Sequence, residues 1–520
     1  MNRRSLRLDS LPGPAGYCTG QLIPYLGNKR SLLPRLHPVF QRLSAGMDAP
    51  AFLDCFSGSG AVSRLARAMG MRVSANDWES YSEAVNSCWL CLSPADLRRA
   101  FGDDQGLAAF LKDWNGMHPS ATGGEVPESA MGEPYIARWY APAVTSRPIP
   151  GKERLFYSAE NAVFMDRVRT RLENEYPAPV PGSTADVRRR VILGGLILEA
   201  ATHANTSGVF KAYHSGFGGH GGDALNRILG RMRLEPPVLP DAPPASVCKE
   251  DAGVFVSGRT ADIAYFDPPY NQHQYGSNYH LLNTIVRWDG RPMPMEPTAG
   301  SGVSPKAGIP DIWKATRSNF CVKREARHAI VGLLDACDAG TLVFSWNADG
   351  HLSGEDMVEI ISPRGRLDIV ALDYVAYRGG RQSASRSSRS REYLFVVDAR
   401  AEPIGVSSAK RRLAELAGAD DALRSTYDPQ RVSAAFGPFP DRLPEFPEAA
   451  WFFSPDLRRP GDGARDVVAS LGSDRRERFV ELLGTCACTD IVHELEVLAR
   501  IGEAHRSEER RVGKECRSRW

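Results

Sequence analysis

Short apolar runs alternate with helical patterns between about residues 20 and 95, and this alternation limits the folds that the chain can adopt. Residues 51–56 are typical of a buried strand, and a tight turn follows at 57–60. Residues 61–69 have a helical pattern, and 71–75 are predicted as the next strand. Strands that alternate with helices in this way predict βα units, whose strands pair in parallel.

The same alternation resumes after a long interruption. From about residue 96 to 245, proline- and glycine-rich stretches bracket helical segments, one of which has an apolar stripe at Phe164, Val168 and Leu172. We therefore expect an α/β fold, with a mostly parallel sheet flanked by helices, a helical insert and a C-terminal helical extension. Further strands are predicted at 261–266, 340–345, 367–374 and 393–397, and the expected divisions are 1–95, 96–245, 246–398 and 399–505.

The composition is that of a soluble globular protein, because 42% of the residues are hydrophobic and 24% are charged. No apolar run in the sequence reaches the ~18 residues that span a bilayer, so we expect no membrane contact. Ten cysteines occur without the spacing of a disulfide framework, which is typical of cytoplasmic proteins. The close pairs Cys88/Cys91 and Cys486/Cys488 have no second pair at zinc-ribbon distance, so we expect no metal site.

The last fifteen residues, 506–520, differ in character from the rest of the chain. One codon choice translates them back into DNA that looks like a common sequencing adapter, so we interpret them as an assembly artefact and exclude them from the fold. They hold six of the 64 basic and three of the 62 acidic residues, which leaves the remaining chain with a net charge of −1. Net charge therefore predicts nothing about nucleic acid, and a DNA-binding surface must be sought in local clusters.

A glycine-rich turn that contains Phe56, Gly58 and Gly60 follows the first predicted strand. Glycines let the backbone approach a ligand closely, and the following helix N-terminus offers free N–H groups. The third glycine of the dinucleotide-binding pattern is missing. Asp77 stands at the end of the next predicted strand, where a carboxylate can accept both ribose hydroxyls of a nucleoside. An ordinary turn and a helix N-cap are the structural alternatives.

The tetrapeptide Asp267-Pro268-Pro269-Tyr270 directly follows the apolar run at 263–266. Two prolines stiffen the loop and remove backbone donors, which leaves carbonyls and the Asp267 carboxylate as acceptors beside an aromatic ring. Such an array suits the exocyclic amino group of a planar base, with Tyr270 stacked on the face of that base. The alternative is a Pro-Pro pair that only ends a strand.

These motifs occur in one order along the chain. The segment Tyr25-Leu-Gly-Asn-Lys29 comes first, the glycine-rich turn with Asp77 comes second, and the Asp267 tetrapeptide follows the insert. In this combination the chain resembles the Dam-like (class alpha) DNA adenine N6-methyltransferases, which use S-adenosylmethionine. Residues 267–280 resemble the modification enzymes of restriction systems more than the housekeeping Dam type. The resemblance covers residues 20–398 and implies a Rossmann-like methyltransferase fold whose insert contains the target-recognition region.

The resemblance also implies a role for each matching residue. The tetrapeptide from Asp267 to Tyr270 matches the catalytic loop, and Asp77 matches the acidic ribose ligand. Cys55 stands where the family usually has proline, which alters loop stiffness more than chemistry. The residues that match the cofactor site are Tyr25, Lys29, Asp54, Phe56, Gly58, Gly60, Asp77 and Asp251.

An arginine-rich segment, 378–391, lies between two of the predicted strands and contains five arginines and no acid. Such a segment predicts a flexible hairpin loop that follows the DNA phosphate backbone, with a disordered linker as the alternative. The candidate DNA contacts are Arg378, Arg381, Arg386, Arg389 and Arg391. Arginines of the insert are further candidates, although a solvated helix face explains each of them slightly better; they are Arg188, Arg189, Arg190, Arg227, Arg231 and Arg233.

We therefore expect a cytoplasmic, monomeric, site-specific enzyme that transfers a methyl group from S-adenosylmethionine to N6 of a flipped-out adenine in double-stranded DNA. The expected setting is a restriction-modification system with a cognate restriction endonuclease, or a phage or orphan modification system. Methylation of N4 of cytosine stays open, because Asp-Pro-Pro-Tyr favours adenine only by family habit. A DNA-binding or regulatory protein without activity is the alternative from another class, and intact Lys29, Asp77 and Asp267 argue against it.

Overall fold

The structure is a computed structural model, and its described residues divide into two compact units between Ile404 and Gly405. The proposed adapter tail at 506–520 and the predicted DNA contacts Arg378, Arg381 and Arg386 lie outside the described residues. The described ranges are 10–119, 134–149, 152–218, 224–290, 307–347, 350–375, 389–423, 425–437, 446–489 and 493–501.

Within those ranges, the first unit contains one seven-stranded sheet of order β3-β2-β1-β4-β5-β7-β6. The strands β1 to β5 pair in parallel, and β7 pairs antiparallel with both β5 and β6. The predicted mostly parallel sheet is therefore confirmed, although the hydrophobic pattern did not indicate the short β3. The strands are β1 Ala51–Asp54, β2 Arg72–Asn76, β3 Ser246–Cys248, β4 Thr260–Phe266, β5 Asp338–Asn347, β6 Arg366–Val375 and β7 Arg389–Asp398.

Helices flank this sheet and fill the insert. The predicted stripe of Phe164, Val168 and Leu172 lies in α7, and all three side chains are fully buried. The insert helix α8 packs against α3 and α12, so the insert shares its core with helices beside the sheet. The helices are α1 Leu33–Leu43, α2 Ala61–Ala68, α3 Ser80–Trp89, α4 Pro94–Phe101, α5 Asp104–Asn115, α6 Ile136–Tyr140, α7 Ala159–Glu175, α8 Thr184–Thr202, α9 Leu225–Leu229, α10 Ala252–Val256, α11 Tyr275–Asn278, α12 His280–Arg287, α13 Lys323–Ala336 and α14 Gly354–Ile361.

The arginine-rich segment is not a loop along its whole length, so this part of the prediction is wrong. Strand β7 begins at Arg389, which pairs with Val375, and Arg391 pairs with Asp373. The ladder extends this far because backbone groups make its hydrogen bonds, so arginine and serine side chains do not prevent the pairing.

The second unit is helical and has an apolar core of its own, in which the rings of Phe436 and Phe452 pack at 5.6 and 5.4 Å from that of Phe479. Its helices are α15 Val406–Ala422, α16 Pro429–Phe436, α17 Ala449–Phe452, α18 Ala464–Ser470 and α19 Ser473–Cys486. In neither unit do the described residues include a helix with the length and apolar character required to cross a membrane.

The sheet brings the three sequence motifs to one edge. Strands β1, β2 and β4 are parallel neighbours, so their carboxyl ends meet. The glycine-rich turn follows β1, Asp77 follows β2, and Asp267 follows β4. The strand order reverses between β1 and β4, which is where ligands bind in open α/β sheets.

Candidate active site

The two glycines of the turn after β1 occupy positions that other residues do not tolerate. Gly58 has φ +51° and Gly60 has φ +80°, both in the left-handed region that favours glycine. A Cβ atom on Gly58 would lie 2.9 Å from the Tyr25 ring, and one on Gly60 would overlap Asn86 Oδ1. The glycines therefore let the turn pass between Tyr25 and α3, directly beneath the site.

Asp77 holds this turn in place from the neighbouring strand. Its Oδ2 accepts a hydrogen bond from the backbone N–H of Gly58 at 2.8 Å, and its Oδ1 accepts one from the N–H of Glu79 at 3.0 Å. The N-cap residue of α3 is Glu79, so the alternative of Asp77 as a helix N-cap is wrong. Burial raises the pKa of Asp77, while its hydrogen bonds lower it.

Asp54 lies below the turn, at the end of β1, and is 1% exposed. Its Oδ2 accepts a hydrogen bond from the Ser63 hydroxyl at 2.5 Å, and burial raises the pKa of Asp54 to about 7. This contact ties β1 to α2. A direct contact between Asp54 and a cofactor stays a prediction.

The segment from Tyr25 to Lys29 is held by tyrosines that follow the Asp267 tetrapeptide. The Tyr279 ring stacks on Tyr25 with centroids 5.0 Å apart, and its hydroxyl accepts a hydrogen bond from the Leu26 N–H at 2.7 Å. The Tyr275 hydroxyl donates to the Leu26 carbonyl at 3.1 Å. Both backbone groups of Leu26 are thus fixed, which orients Lys29 towards the catalytic loop.

Lys29 is the centre of a buried charge network, which we call the Lys29 network. Its ammonium group lies 2.9 Å from Asp267 Oδ1 and 2.8 Å from Glu392 Oε1, and it donates to the Tyr270 hydroxyl at 2.7 Å. The Tyr270 hydroxyl donates to Asp267 Oδ1, and the Ser345 hydroxyl donates to Glu392 Oε1. The five side chains come from the first motif, the catalytic loop, β5 and β7.

The network sets the charges of the catalytic loop. The two carboxylates raise the pKa of Lys29 against the lowering effect of its burial, so the side chain is an ammonium. Burial raises the pKa of Asp267, Lys29 opposes that rise, and Glu392 adds to it. Asp267 is consequently a carboxylate near neutral pH, with an unusually high affinity for a proton.

A cavity of about 300 Å³ opens at this edge of the sheet. It is lined by Asp77 on one side and by the loop from Asp267 to Tyr270 on the other. Of the other predicted cofactor residues, Tyr25, Lys29, Phe56 and Asp251 line this cavity. Gly58 and Gly60 lie in the turn beside it, and Asp54 ends the strand before that turn. The structure therefore brings the predicted cofactor and catalytic residues together.

Asp251 borders the cavity as the N-cap residue of α10. Its Oδ1 accepts a hydrogen bond from the Gly253 N–H at 2.9 Å. Phe56 packs edge-on against Phe320, with ring centroids 5.3 Å apart, and both rings line the cavity.

Sequence reasoning missed several lining and network residues. Glu79 is 5% exposed, accepts hydrogen bonds from Asn283 and Thr316, and has its pKa raised to about 7 by burial. Ser345 carried one available signal, since it is a polar residue within an apolar stretch of β5, whereas Glu392 follows the polar residues 389–391. The other missed lining residues include Trp78, Arg317, Phe320 and His328.

The three consecutive arginines of the insert point to intramolecular partners. Arg188 donates to the Ala100 carbonyl at 2.9 Å, Arg189 bonds to Glu173 at 2.8 Å, and Arg190 lies 2.9 Å from Asp186. These contacts favour the structural interpretation of Arg188, Arg189 and Arg190 over phosphate binding. Of the other insert arginines, Arg227 donates to the Thr202 carbonyl and Arg233 pairs with Glu235 at 2.9 Å.

The described residues contain no group of three or more His, Cys, Asp or Glu that could hold a metal ion.

The fold and the site together define a class of protein. A seven-stranded sheet with an antiparallel β7, a glycine-rich turn after β1, an acid after β2 and an acceptor loop after β4 are the features of a Rossmann-like methyltransferase fold.

Comparison with known proteins narrows the class. Residues 25–109 and 199–291 match the family described as D12 class N6 adenine-specific DNA methyltransferases. The chain is 25% identical over 381 residues to the Type II methyltransferase M.NlaIII of Neisseria lactamica, which covers 72% of this chain and 98% of that protein. It is 26% identical over 379 residues to the Type II methyltransferase M.CviAII of Paramecium bursaria Chlorella virus 1, with the same two coverages. Against the Type II methyltransferase M.FokI of Planomicrobium okeanokoites it is 25% identical over 381 residues, or 52% of that protein.

Over these two ranges the chain is similar to the D12 class of N6 adenine-specific DNA methyltransferases, and the relatives it matches are methyltransferases. The resemblance inferred from the three motifs is thereby confirmed, and the enzyme prediction with it. The matched ranges contain the first motif, the glycine-rich turn, Asp77 and the catalytic loop, which are the residues that the sheet brings to one edge.

Proposed function

We propose that the protein methylates N6 of an adenine that is flipped out of double-stranded DNA, with S-adenosylmethionine as the methyl donor. The observation that carries this proposal is the way in which the two oxygens of the Asp267 carboxylate are hydrogen-bonded. Its Oδ1 accepts hydrogen bonds from Lys29 and Tyr270, and no hydrogen bond from a described residue reaches Oδ2. Asp267 also lines the cavity, so a planar base in the cavity can donate its amino group to Oδ2.

The residues around the cavity fit S-adenosylmethionine. The close approach of the Gly58 backbone leaves space that a Cβ would close, and Asp77 lines the cavity, where its carboxylate can accept a ribose hydroxyl. A cavity of about 300 Å³ is at the lower end of the range for ligand pockets. When bound, the cofactor supplies an electrophilic methyl group on a sulfonium.

The catalytic loop would prepare the adenine amino group for attack. The N6 lone pair is conjugated into the ring, so N6 is a poor nucleophile until its hydrogens are held. We propose that Asp267 Oδ2 and the Pro268 carbonyl each accept one N6–H, which aims the lone pair at the methyl carbon. Pro269 stiffens the loop that presents both acceptors. The Asp267 charge also stabilises the positive charge that develops on N6 during transfer.

Tyr270 is proposed to stack on the flipped base with its ring while its hydroxyl stays in the Lys29 network. A base within the duplex cannot reach the cofactor, so flipping must precede transfer.

Replacement of Asp77 by Ala is expected to weaken S-adenosylmethionine binding on the order of 10²-fold, because two hydrogen bonds to a charged group are lost. Calorimetric titration of the cofactor measures this. Asp368→Asn is the matched control, since Asp368 is exposed and pairs only with Arg42 across the surface. Unchanged affinity in Asp77→Ala would contradict the ribose assignment.

We further propose that the arginine-rich segment and Arg317 contact DNA phosphates. Arg317 is exposed and lines the mouth of the cavity. The neighbouring Ser318 is fixed to Gln274 through two hydrogen bonds of 2.8 and 3.0 Å, which hold the rim against the segment that follows the catalytic loop. The proposal for Arg378, Arg381, Arg386, Arg389 and Arg391 rests on their sequence alone.

Replacement of Arg378, Arg381 and Arg386 by Ala is expected to weaken DNA binding for all sequences alike. Each lost phosphate contact reduces the slope of log affinity against log salt by roughly 0.9. Fluorescence anisotropy over a salt series measures the slope, with Arg42→Ala as the control. An unchanged slope with altered site preference would assign the segment to base recognition instead.

The biological system in which the protein acts is inferred from the names of its relatives. M.NlaIII, M.CviAII and M.FokI are named Type II methyltransferases, which supports a modification enzyme of a restriction-modification system, with a cognate nuclease as partner.

Mass spectrometry of nucleosides from DNA incubated with the protein and S-adenosylmethionine tests the proposed function. N6-methyladenine is the expected product. N4-methylcytosine would support the cytosine alternative, and DNA binding without any methylated nucleoside would support a regulatory protein.

A further inference from the structure

Glu392 is a buried charged residue that follows the polar start of β7 and directly precedes its apolar part. It lies in β7 opposite Asn347 of β5 and Leu372 of β6, and it is 1% exposed. The next residues in the strand, Tyr393 and Leu394, are hydrophobic and buried. Burial of a carboxylate at such a position is costly unless it is paired and hydrogen-bonded, so the contacts of Glu392 call for a physical reason.

The contacts of Glu392 complete the coordination of the Lys29 ammonium. An ammonium group has three donors, and Lys29 directs them to Asp267, Glu392 and the Tyr270 hydroxyl. The Ser345 hydroxyl donates to Glu392 Oε1 from β5, which fixes the carboxylate from the opposite side. Glu392 is therefore anchored to the rigid sheet, whereas Asp267 and Tyr270 belong to a loop.

We propose that Glu392 is a positioning residue for methyl transfer, which holds the Lys29 ammonium between two carboxylates so that Lys29 does not neutralise Asp267, whose Oδ2 is left for the adenine amino group. This inference rests on the proposed function. Glu392 is not a catalytic residue, because it acts through Lys29.

The charge balance gives the physical reason. Lys29 paired with Asp267 alone would form a neutral ion pair, in which the ammonium draws electron density from the acceptor that the substrate needs. With Glu392 present, one ammonium is shared by two carboxylates and the group carries a net charge of −1. A net negative group favours the positive charge that develops on N6.

Other titratable groups also face this cluster. The Tyr265 side chain from β4 lies beside Lys29, Asp267 and Glu392, and burial keeps the Tyr265 phenol neutral by raising its pKa. Asp54 lies at the end of β1, and the nearby Asp267 carboxylate raises the pKa of Asp54. Neither takes the place of Glu392 as a charged partner of Lys29, since Asp54 accepts its hydrogen bond from Ser63 and Tyr265 stays protonated.

The test compares the pH dependence of single-turnover methylation in the wild type, Glu392→Gln and Glu392→Asp. Gln keeps an oxygen that can accept from Lys29 but removes the charge. Asp keeps the charge, but its side chain is one methylene shorter. Its carboxylate therefore lies farther from the Lys29 ammonium than the 2.8 Å of the wild type. Glu359→Gln is the matched control, because Glu359 lies on the surface and pairs with Arg327 away from the site.

In the wild type, activity is lost as the pH falls and Asp267 takes up a proton. Glu392 raises the pKa of Asp267, so Glu392→Gln lowers that pKa, and the acid limb moves to lower pH by about one unit. The plateau rate falls by about tenfold because Asp267 becomes a weaker acceptor. In Glu392→Asp the plateau rate falls, but the acid limb stays close to that of the wild type. The affinity of both variants for the cofactor stays within a few-fold of the wild-type value.

An acid limb that stays in place in Glu392→Gln would overturn the inference, whatever the plateau rate, because a merely structural role does not move it. If Glu392→Gln fails to fold, Glu392→Asp decides, since an unchanged rate in that variant also overturns the inference. Failure of the proposed function is a separate outcome, in which the wild type itself yields no N6-methyladenine.

Discussion

Replacement of Asp267 by Asn is expected to lower the single-turnover rate of methylation by about 10³-fold. The Asn side chain has the size of Asp but carries only one oxygen, and that oxygen must serve either Lys29 or the substrate. In the wild type Oδ1 serves Lys29 and Tyr270 while Oδ2 is left for the adenine amino group. The variant also lacks the charge that stabilises developing positive charge on N6.

Rapid-quench measurement with cofactor-saturated enzyme and duplex DNA gives this rate directly. Calorimetric titration is expected to give a cofactor affinity within a few-fold of the wild type, since Asp77 and the glycine-rich turn are intact. The exposed Asp368→Asn is again the control. Near-normal turnover in Asp267→Asn would remove the catalytic assignment and make a DNA-binding or regulatory role the better interpretation.

Replacement of Lys29 by Met is expected to destabilise the first unit by about 3–5 kcal/mol at pH 8 and to abolish activity. Met fills a similar volume, but the variant leaves the Asp267 and Glu392 carboxylates buried without their shared counter-ion. The cost is large because the desolvation of both charges is no longer offset by attraction to the ammonium.

The pH dependence of this loss has a definite sign. Without Lys29, nothing opposes the burial of Asp267 and its repulsion by Glu392, so the pKa of Asp267 in the folded variant rises further above its unfolded value. Groups with a raised folded pKa destabilise the fold more as the pH rises, so the deficit of Lys29→Met is largest at pH 8 and shrinks towards pH 5. Calorimetric melting at both pH values measures it, with the exposed Lys112→Met as the control. A deficit that does not vary with pH would contradict the charge network.

The positions of the motifs could be predicted from the sequence because each is a local feature. The strand at Ala51–Asp54, the glycines after it and Asp77 after β2 follow from apolar periodicity and from the backbone freedom of glycine. Parallel βα units then require that these strand ends share one edge. The tetrapeptide that begins at Asp267 could be assigned in the same way, since it directly follows an apolar strand.

What the sequence did not indicate depends on contacts between distant residues. Glu392 lies far from Lys29 along the chain, and an acid within a strand does not predict the partner that neutralises it. The same holds for Tyr279, which fixes the backbone at Leu26, and for Glu79, which accepts a hydrogen bond from Asn283.

The sequence by itself determined the fold class, the family resemblance and the side chains at the edge of the sheet, because periodicity, turn chemistry and motif order are properties of short segments. Only the tertiary structure decided which charges meet. It set Glu392 against Lys29, turned Arg189 towards Glu173 of another helix and began β7 at Arg389 within the segment predicted as a loop. The physical reason is that the energy of a buried charge depends on the neighbours that packing provides, and packing is a property of the whole fold.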